Sequence, residues 1–144
     1  MIKSAGFDLL DDIGEGALQS VEGHIQRSSS GGGQAGLAVG YHLAQLGRSF
    51  LILDAHERTG DSWRTRWDSL RLFTPAYLNA LPGLDFPGSQ SRCSTKDEMA
   101  DYLEAYAAGF DLPIRRGLQV DSVTKINDRF VITAVIIISR PAMW

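Results

Sequence analysis

The chain has 144 residues, enough for one domain with a real core, and its 44% hydrophobic and 22% charged residues are typical of a globular protein. A net charge of −3 gives no reason to expect nucleic acid or an anionic membrane surface as a partner. Cys93 is the single cysteine, so no internal disulfide can form, and a reducing compartment is the natural setting.

No apolar h-region follows the start MIKSAGFDLLDD, so no secretory signal is read there. The apolar run 134–138 is far too short to span a bilayer, and a soluble cytoplasmic protein is the expectation. Residues 1–30 are acidic and then serine-rich. Asp8, Asp11, Asp12, Glu15 and Glu22 stand against Lys3 and Arg27. Leu9, Leu10, Ile13, Leu18 and Val21 could share one side of a helix, but Gly14 and Gly16 interrupt it. This leader is left without an assigned element.

The segment GGGQAGLAVGYHLAQLG opens at Gly31 and reads as a glycine loop running into a helix. Ala35, Ala38, Tyr41 or His42, and Leu46 recur at helical spacing, with Gly47 at the C′ position. SFLILD follows as a short apolar run of the kind a buried parallel strand shows. Residues 55–94, punctuated by Pro75, Pro82 and Pro87, read as a long irregular segment. Thr95 and Glu98 form a capping box for a helix with Met99, Tyr102, Leu103, Tyr106 and Ala107 on its apolar stripe, ended by Gly109. Strands are predicted over 113–120 and 122–126, then a turn at Asn127-Asp128 and a strand over 129–134 with Phe130, Ile132 and Ala134 on one side. Residues 135–144 form an atypical tail. The fold class expected is α/β, a parallel sheet with helices and a β-hairpin appendage.

Gly31, Gly33 and Gly36 fit the G-x-G-x-x-G spacing. The first glycine makes a tight turn, the second lets backbone approach a pyrophosphate, and the third permits close helix–strand packing. The helix start offers free N–H groups and a positive dipole end. Asp54 lies 18 residues after Gly36, at the end of SFLILD, where a carboxylate can accept from a ribose hydroxyl. The motif should follow a buried strand, yet the residues before it are Gln26-Arg27-Ser28-Ser29-Ser30. Either these form a poorly adapted strand or that strand is missing.

Residues 31–134 resemble flavin-containing monooxygenase-like enzymes, including Baeyer–Villiger-type and N-hydroxylating flavoproteins. The resemblance is carried by the glycine loop, by Gly60-Asp61-Ser62-Trp63 and by the segment TKDEMADYLEAYAAGFDLPIRRGLQVDSV. It implies an incomplete Rossmann-like FAD-binding domain. Gly31, Gly33, Gln34, Ala35 and Gly36 would hold the FAD pyrophosphate and Asp54 the adenosine ribose. Gly60, Ser62, Trp63 and Arg64 would line the flavin side, and the backbone of Val120 would meet the adenine. In the intact family the chemistry is an oxygenation driven by NADPH through FAD. Neither the second glycine-rich motif for NADPH nor the Ala-Thr-Gly-like turn that closes on FAD is found here. Hence the expectation is a truncated, frame-shifted or mispredicted product, inactive alone, with an unknown substrate.

Other readings stay open at this point. Trp63 and Trp67 could be core anchors, Arg58, Arg64, Arg66 and Arg71 solvated surface charges, and Asp54 a turn cap. His56 sits beside Asp54 without the spacing of a metal site, and no catalytic residue is assigned. The chain could be a non-catalytic binding module that associates through exposed sheet edges, or an NAD-binding domain of another oxidoreductase.

Overall fold

A computed structural model describes residues 28–127 and 129–136. The helix considered within the leader, and nearly all of the leader and tail, lie outside the described residues.

The first strand exists. β1 (Ser28–Ser30) pairs in parallel with β2 (Leu51–Leu53), Ser28 opposite Leu51 and Ser30 opposite Leu53. Serine has little strand preference of its own, and here the backbone pairing decides the conformation. β2 also pairs in parallel with β5 (Ile114–Arg115), so the apolar strand read from SFLILD is the centre of a β1-β2-β5 sheet. Its position explains its composition, because Ile52 and Leu53 are buried.

Helix α1 (Gln34–Gln45) crosses from β1 to β2, with Leu46 as its C-cap and Gly47 beyond it at φ +61°. Its buried face is Gly36, Leu37, Gly40 and Leu43. The stripe expected from Ala35 and Leu46 is therefore rotated, for both of those residues are exposed. The cause lies at Gly40, where an added Cβ would stand 2.7 Å from Ile52 Cδ1. The helix approaches the sheet through the residue that has no side chain, a contact invisible to hydrophobic periodicity.

Residues 55–94 are more ordered than the sequence suggests. They hold a one-turn helix α2 (Asp61–Arg64), β3 (Arg71–Pro75), a 3-10 turn (Ala76–Leu78) and β4 (Cys93–Thr95). β3 and β4 pair antiparallel, Arg71 opposite Thr95 and Pro75 opposite Cys93. The excursion between them is pinned to the next helix. Tyr102 Oη accepts from Leu81 N at 2.7 Å and donates to Leu84 O at 2.7 Å, and Tyr106 Oη donates to Pro82 O at 2.6 Å.

That helix, α3 (Lys96–Gly109), has the features read from sequence: the Thr95–Glu98 capping box and a buried face that includes Met99, Tyr102, Leu103, Tyr106 and Ala107. These side chains meet Leu37, Ile52, Leu72 and Phe86 in one core. After β5, strands β6 (Leu118–Ile126) and β7 (Arg129–Ile136) form an antiparallel hairpin with an irregularity between Val120 and Ser122. Ala134 is buried, while Phe130 is largely exposed. The alternation foreseen for this strand therefore buries only one end of its row. Among the described residues no helix is long and apolar enough to cross a membrane, and no group of three or more His, Cys, Asp or Glu side chains could hold a metal ion.

Candidate dinucleotide site

The tight turn is made at Gly31, whose φ of +104° favours glycine and whose amide donates to Leu53 O at 2.8 Å. This bond ties the loop to the end of β2. Gly33 is the N-cap of α1, no side chain caps the helix, and no acidic residue occupies its first turn. The first amide bond of the helix is Leu37 N to Gly33 O at 3.0 Å. The amides of Gly33, Gln34, Ala35 and Gly36 therefore have no hydrogen-bond partner among the described residues. A Cβ on Gly33 would meet nothing within 4 Å, so open space lies where those amides begin. A row of free donors, a helix dipole and a missing side chain together fit an anion held by backbone.

Asp54 follows β2 directly and is only 4% exposed. Its backbone is fixed on both sides: Asp54 N donates to Arg115 O at 2.8 Å, and Asp54 O accepts from Leu118 N at 3.0 Å. Oδ1 accepts from the His56 amide at 3.2 Å and from His56 Nδ1 at 3.0 Å. Oδ2 has no hydrogen-bond donor among the described residues and lies against Gly32, where a Cβ would overlap it. A buried carboxylate oxygen without a donor is costly unless something fills the place. A hydroxyl donor fits that place.

The residues expected on the flavin side divide into two groups. Trp63, on α2, shares a cleft of about 240 Å³ with Gln34 at the start of α1 and with Leu72, Phe73 and Thr74 of β3. Ser62 precedes it and is half-buried. Gly60 and Arg64 are engaged with α3. Gly60 adopts φ +93°, and a Cβ there would stand 2.5 Å from Ala100 O. Arg64 donates to Thr59 O at 2.8 Å, Asp61 Oδ1 at 3.1 Å, Asp101 Oδ1 at 3.0 Å and Glu104 Oε2 at 3.1 Å. Partial burial works against its charge, but hydrogen bonds with Asp101 and Asp61 hold its pKa above the usual arginine value. Arg58 grips the same Glu104 through two bonds of 2.7 and 2.6 Å, which keeps that carboxyl below the usual range. Val120 is half-buried on β6 opposite Ala134, two residues beyond the Leu118 amide that binds Asp54.

Two residues at the site were not picked out by spacing. Gly32 occupies a variable position of the motif, yet it is the glycine in contact with Asp54. His56 lacks the spacing of a metal ligand, yet it supplies two donors to the same carboxylate. Proximity to Asp54 in sequence was the only available signal for it.

A parallel sheet with a glycine turn leading into a helix N-terminus, and a buried acid after the second strand, defines a dinucleotide-binding α/β domain. Residues 30–135 match the model of the pyridine nucleotide-disulphide oxidoreductases, and the chain belongs to that family. It is 48% identical over 103 residues to an uncharacterized CzcO-like oxidoreductase of Geobacillus kaustophilus, covering 72% of this chain and 30% of that protein. Probable indole-3-pyruvate monooxygenase YUCCA3 of Arabidopsis thaliana is 37% identical over 83 residues, 57% of this chain and 19% of that protein. The solved flavin-containing monooxygenase of Stenotrophomonas maltophilia is 37% identical with a TM-score of 0.69, covering 74% of this chain and 32% of that one. The resemblance to flavin-containing monooxygenases read from the sequence therefore holds, and the chain spans about a third of the length of these relatives or less.

Proposed function

We propose that this chain is the FAD-binding portion of an NAD(P)H-dependent flavoprotein monooxygenase or oxidoreductase, and that it is inactive alone. The observation that carries the reading is the pairing of α1 amides with Oδ2 of Asp54, both without a hydrogen-bond partner among the described residues and both reached from the glycine loop. The amides of Gly33, Gln34, Ala35 and Gly36 receive the pyrophosphate at the turn that Gly31 makes, and Asp54 accepts from the adenosine ribose. Val120 offers backbone to the adenine, while Trp63 and Ser62 bound the flavin side of the cleft. Gly60 and Arg64 hold α2 against α3 and so set where Trp63 stands.

When bound, the flavin supplies the redox chemistry, with NADPH as reductant in the whole enzyme. The residues of this chain bind it, orient it and keep water from its buried face. The carboxylate of Asp54 disfavours a 2′-phosphate by like-charge repulsion, which supports FAD over NADP at this loop. Free Cys93 supports a reducing, cytoplasmic setting.

The test is direct. The purified protein should carry flavin or take it up, and added FAD should raise the melting temperature by mass action, more than NAD does. No NADPH-dependent oxygen consumption is expected. A colourless protein whose melting is unmoved by FAD would remove the proposal, and stabilisation by NAD alone would replace it with an NAD-binding reading.

A further inference from the structure

We infer that His56 is a positioning residue for dinucleotide recognition: it holds Oδ1 of Asp54 so that Oδ2 alone is presented to the ribose diol. The inference rests on the dinucleotide reading above and adds to it the residue that sets how the sugar is read.

The geometry carries it. His56 donates twice to the same oxygen, from its amide at 3.2 Å and from ring Nδ1 at 3.0 Å. A carboxylate can only accept, so Nδ1 is the protonated ring nitrogen and the ring orientation is fixed by that bond. His56 O accepts from Gly117 N at 3.1 Å, so the residue is also anchored by its backbone to the segment leading into β6. Asp54 is buried. With Oδ1 satisfied and the main chain held at both N and O, the carboxylate plane is set by the imidazole. Gly32 then admits Oδ2 at a point where any other residue would collide with it. Without the ring donor, Oδ1 keeps only the amide, the plane is free to turn, and Oδ2 no longer has one direction in which to accept.

His56 is 41% exposed on its side chain, so it contributes little to the core and tolerates replacement. Its ring is poorly placed to be a mere packing element, and among the described residues no group of three or more His, Cys, Asp or Glu side chains could hold a metal ion.

The experiment compares ADP with 2′,3′-dideoxy-ADP by calorimetric titration of the full chain. The wild-type protein should prefer ADP by about tenfold, the worth of one charge-assisted hydrogen bond. His56→Asn places an amide donor where Nδ1 stands and should keep the preference. His56→Phe keeps a ring without the donor; it should bring the two dissociation constants to near equality and leave that for dideoxy-ADP unchanged. If the Phe variant does not fold, His56→Ala is read in the same way. Retained preference in the Phe or Ala variant, its loss in the Asn variant, or its absence from a wild-type chain that binds ADP and FAD would overturn this inference alone. A wild-type chain that binds neither nucleotide overturns the FAD reading and this inference with it.

Discussion

Gly32 and Asp54 are in direct contact across the glycine loop, and the contact exists because Gly32 lacks a Cβ. An added Cβ would stand 2.8 Å from Asp54 Cγ and overlap Oδ2. Gly32→Ala must therefore push the carboxylate away or open the loop. Overpacking of this kind costs about 1–3 kcal/mol. The expected outcome is a lower melting temperature together with a loss of FAD affinity of at least about tenfold, since the displaced oxygen is the proposed ribose acceptor. Flavin fluorescence titration and thermal melting read the two effects separately.

Gly33 gives the opposite combination. It is an N-cap at φ −82° and ψ −176°, extended backbone that any residue adopts, and a Cβ there would face open space. Gly33→Ala should leave unliganded stability within about 1 kcal/mol, since Ala caps a helix somewhat less well than Gly. The new methyl nevertheless occupies the approach to the free amides of α1. FAD binding should fall by more than about tenfold while the melting temperature of the free chain barely moves. Equal FAD affinity in the variant would mean that the anion does not approach from this side.

Tyr106 links the core to alkaline stability. Burial pushes its phenol up to about 12, with Tyr102 and Tyr41 adding to the effect, and its hydroxyl donates to Pro82 O at 2.6 Å. The raised folded value means that its contribution is fully present below the unfolded value of about 10 and is lost as pH rises from there toward 12. The urea midpoint should hold steady to about pH 10 and then fall. Tyr106→Phe should make that fall shallower, though Tyr102 still contributes in the same direction. It should also cost about 1–2 kcal/mol at neutral pH, because Pro82 O is left without its donor.

Glu98 acts at the other end of the pH scale. Hydrogen bonds from Arg92, then from the Thr95 backbone, lower its carboxyl to about 2 from the ordinary 4.5. A depressed folded value gives stability that is present above about 4.5 and lost as pH falls toward 2. The Arg92 pair is partly exposed and screened, which reduces its share in stability, and the cap bond in which Glu98 accepts from Thr95 N at 2.8 Å acts in the same direction. Glu98→Ala should cost about 1 kcal/mol at pH 7 and flatten the acid limb of a stability profile measured by circular dichroism.

Much of this architecture was legible, and the failures share a cause. Helix α3 could be read because Thr95, Glu98 and the stripe from Met99 to Ala107 encode it locally. Gly31, Gly33, Gly36 and Asp54 could be placed because their spacing reflects one turn and one strand. By contrast, Ser28–Ser30 become a strand only by pairing with Leu51–Leu53, and Arg71 finds Thr95 across a proline-rich excursion. The face of α1 departs from its hydrophobic spacing because Gly40 packs through an absent side chain. Gly32 and His56 take their roles from where Asp54 stands in space. Contacts made by backbone, or by what a residue lacks, leave no hydrophobic period to follow.

The β6–β7 hairpin supplies the last prediction. Phe130 is 70% exposed, Val123 57% and Ile126 52%. Phe130 pairs with Lys125 and Ile132 with Val123, so these four side chains share one face of the hairpin, while Ile126, Thr124 and Val131 lie on the other. Exposed apolar side chains on a two-stranded ribbon are a surface that another molecule can cover, and a second copy of this chain is always available at high concentration. Concentration-dependent self-association is therefore expected in sedimentation velocity. Phe130→Glu puts a carboxylate opposite Lys125, a favourable cross-strand pair, and places charge at the most exposed aromatic position of the hairpin. The variant should keep the wild-type melting temperature within about 1 kcal/mol equivalent and remain monomeric where the wild-type chain associates. If it associates as strongly as wild type, the hairpin is not the contact. The exposed Trp67 and Phe73 would then be the next aromatic positions to change.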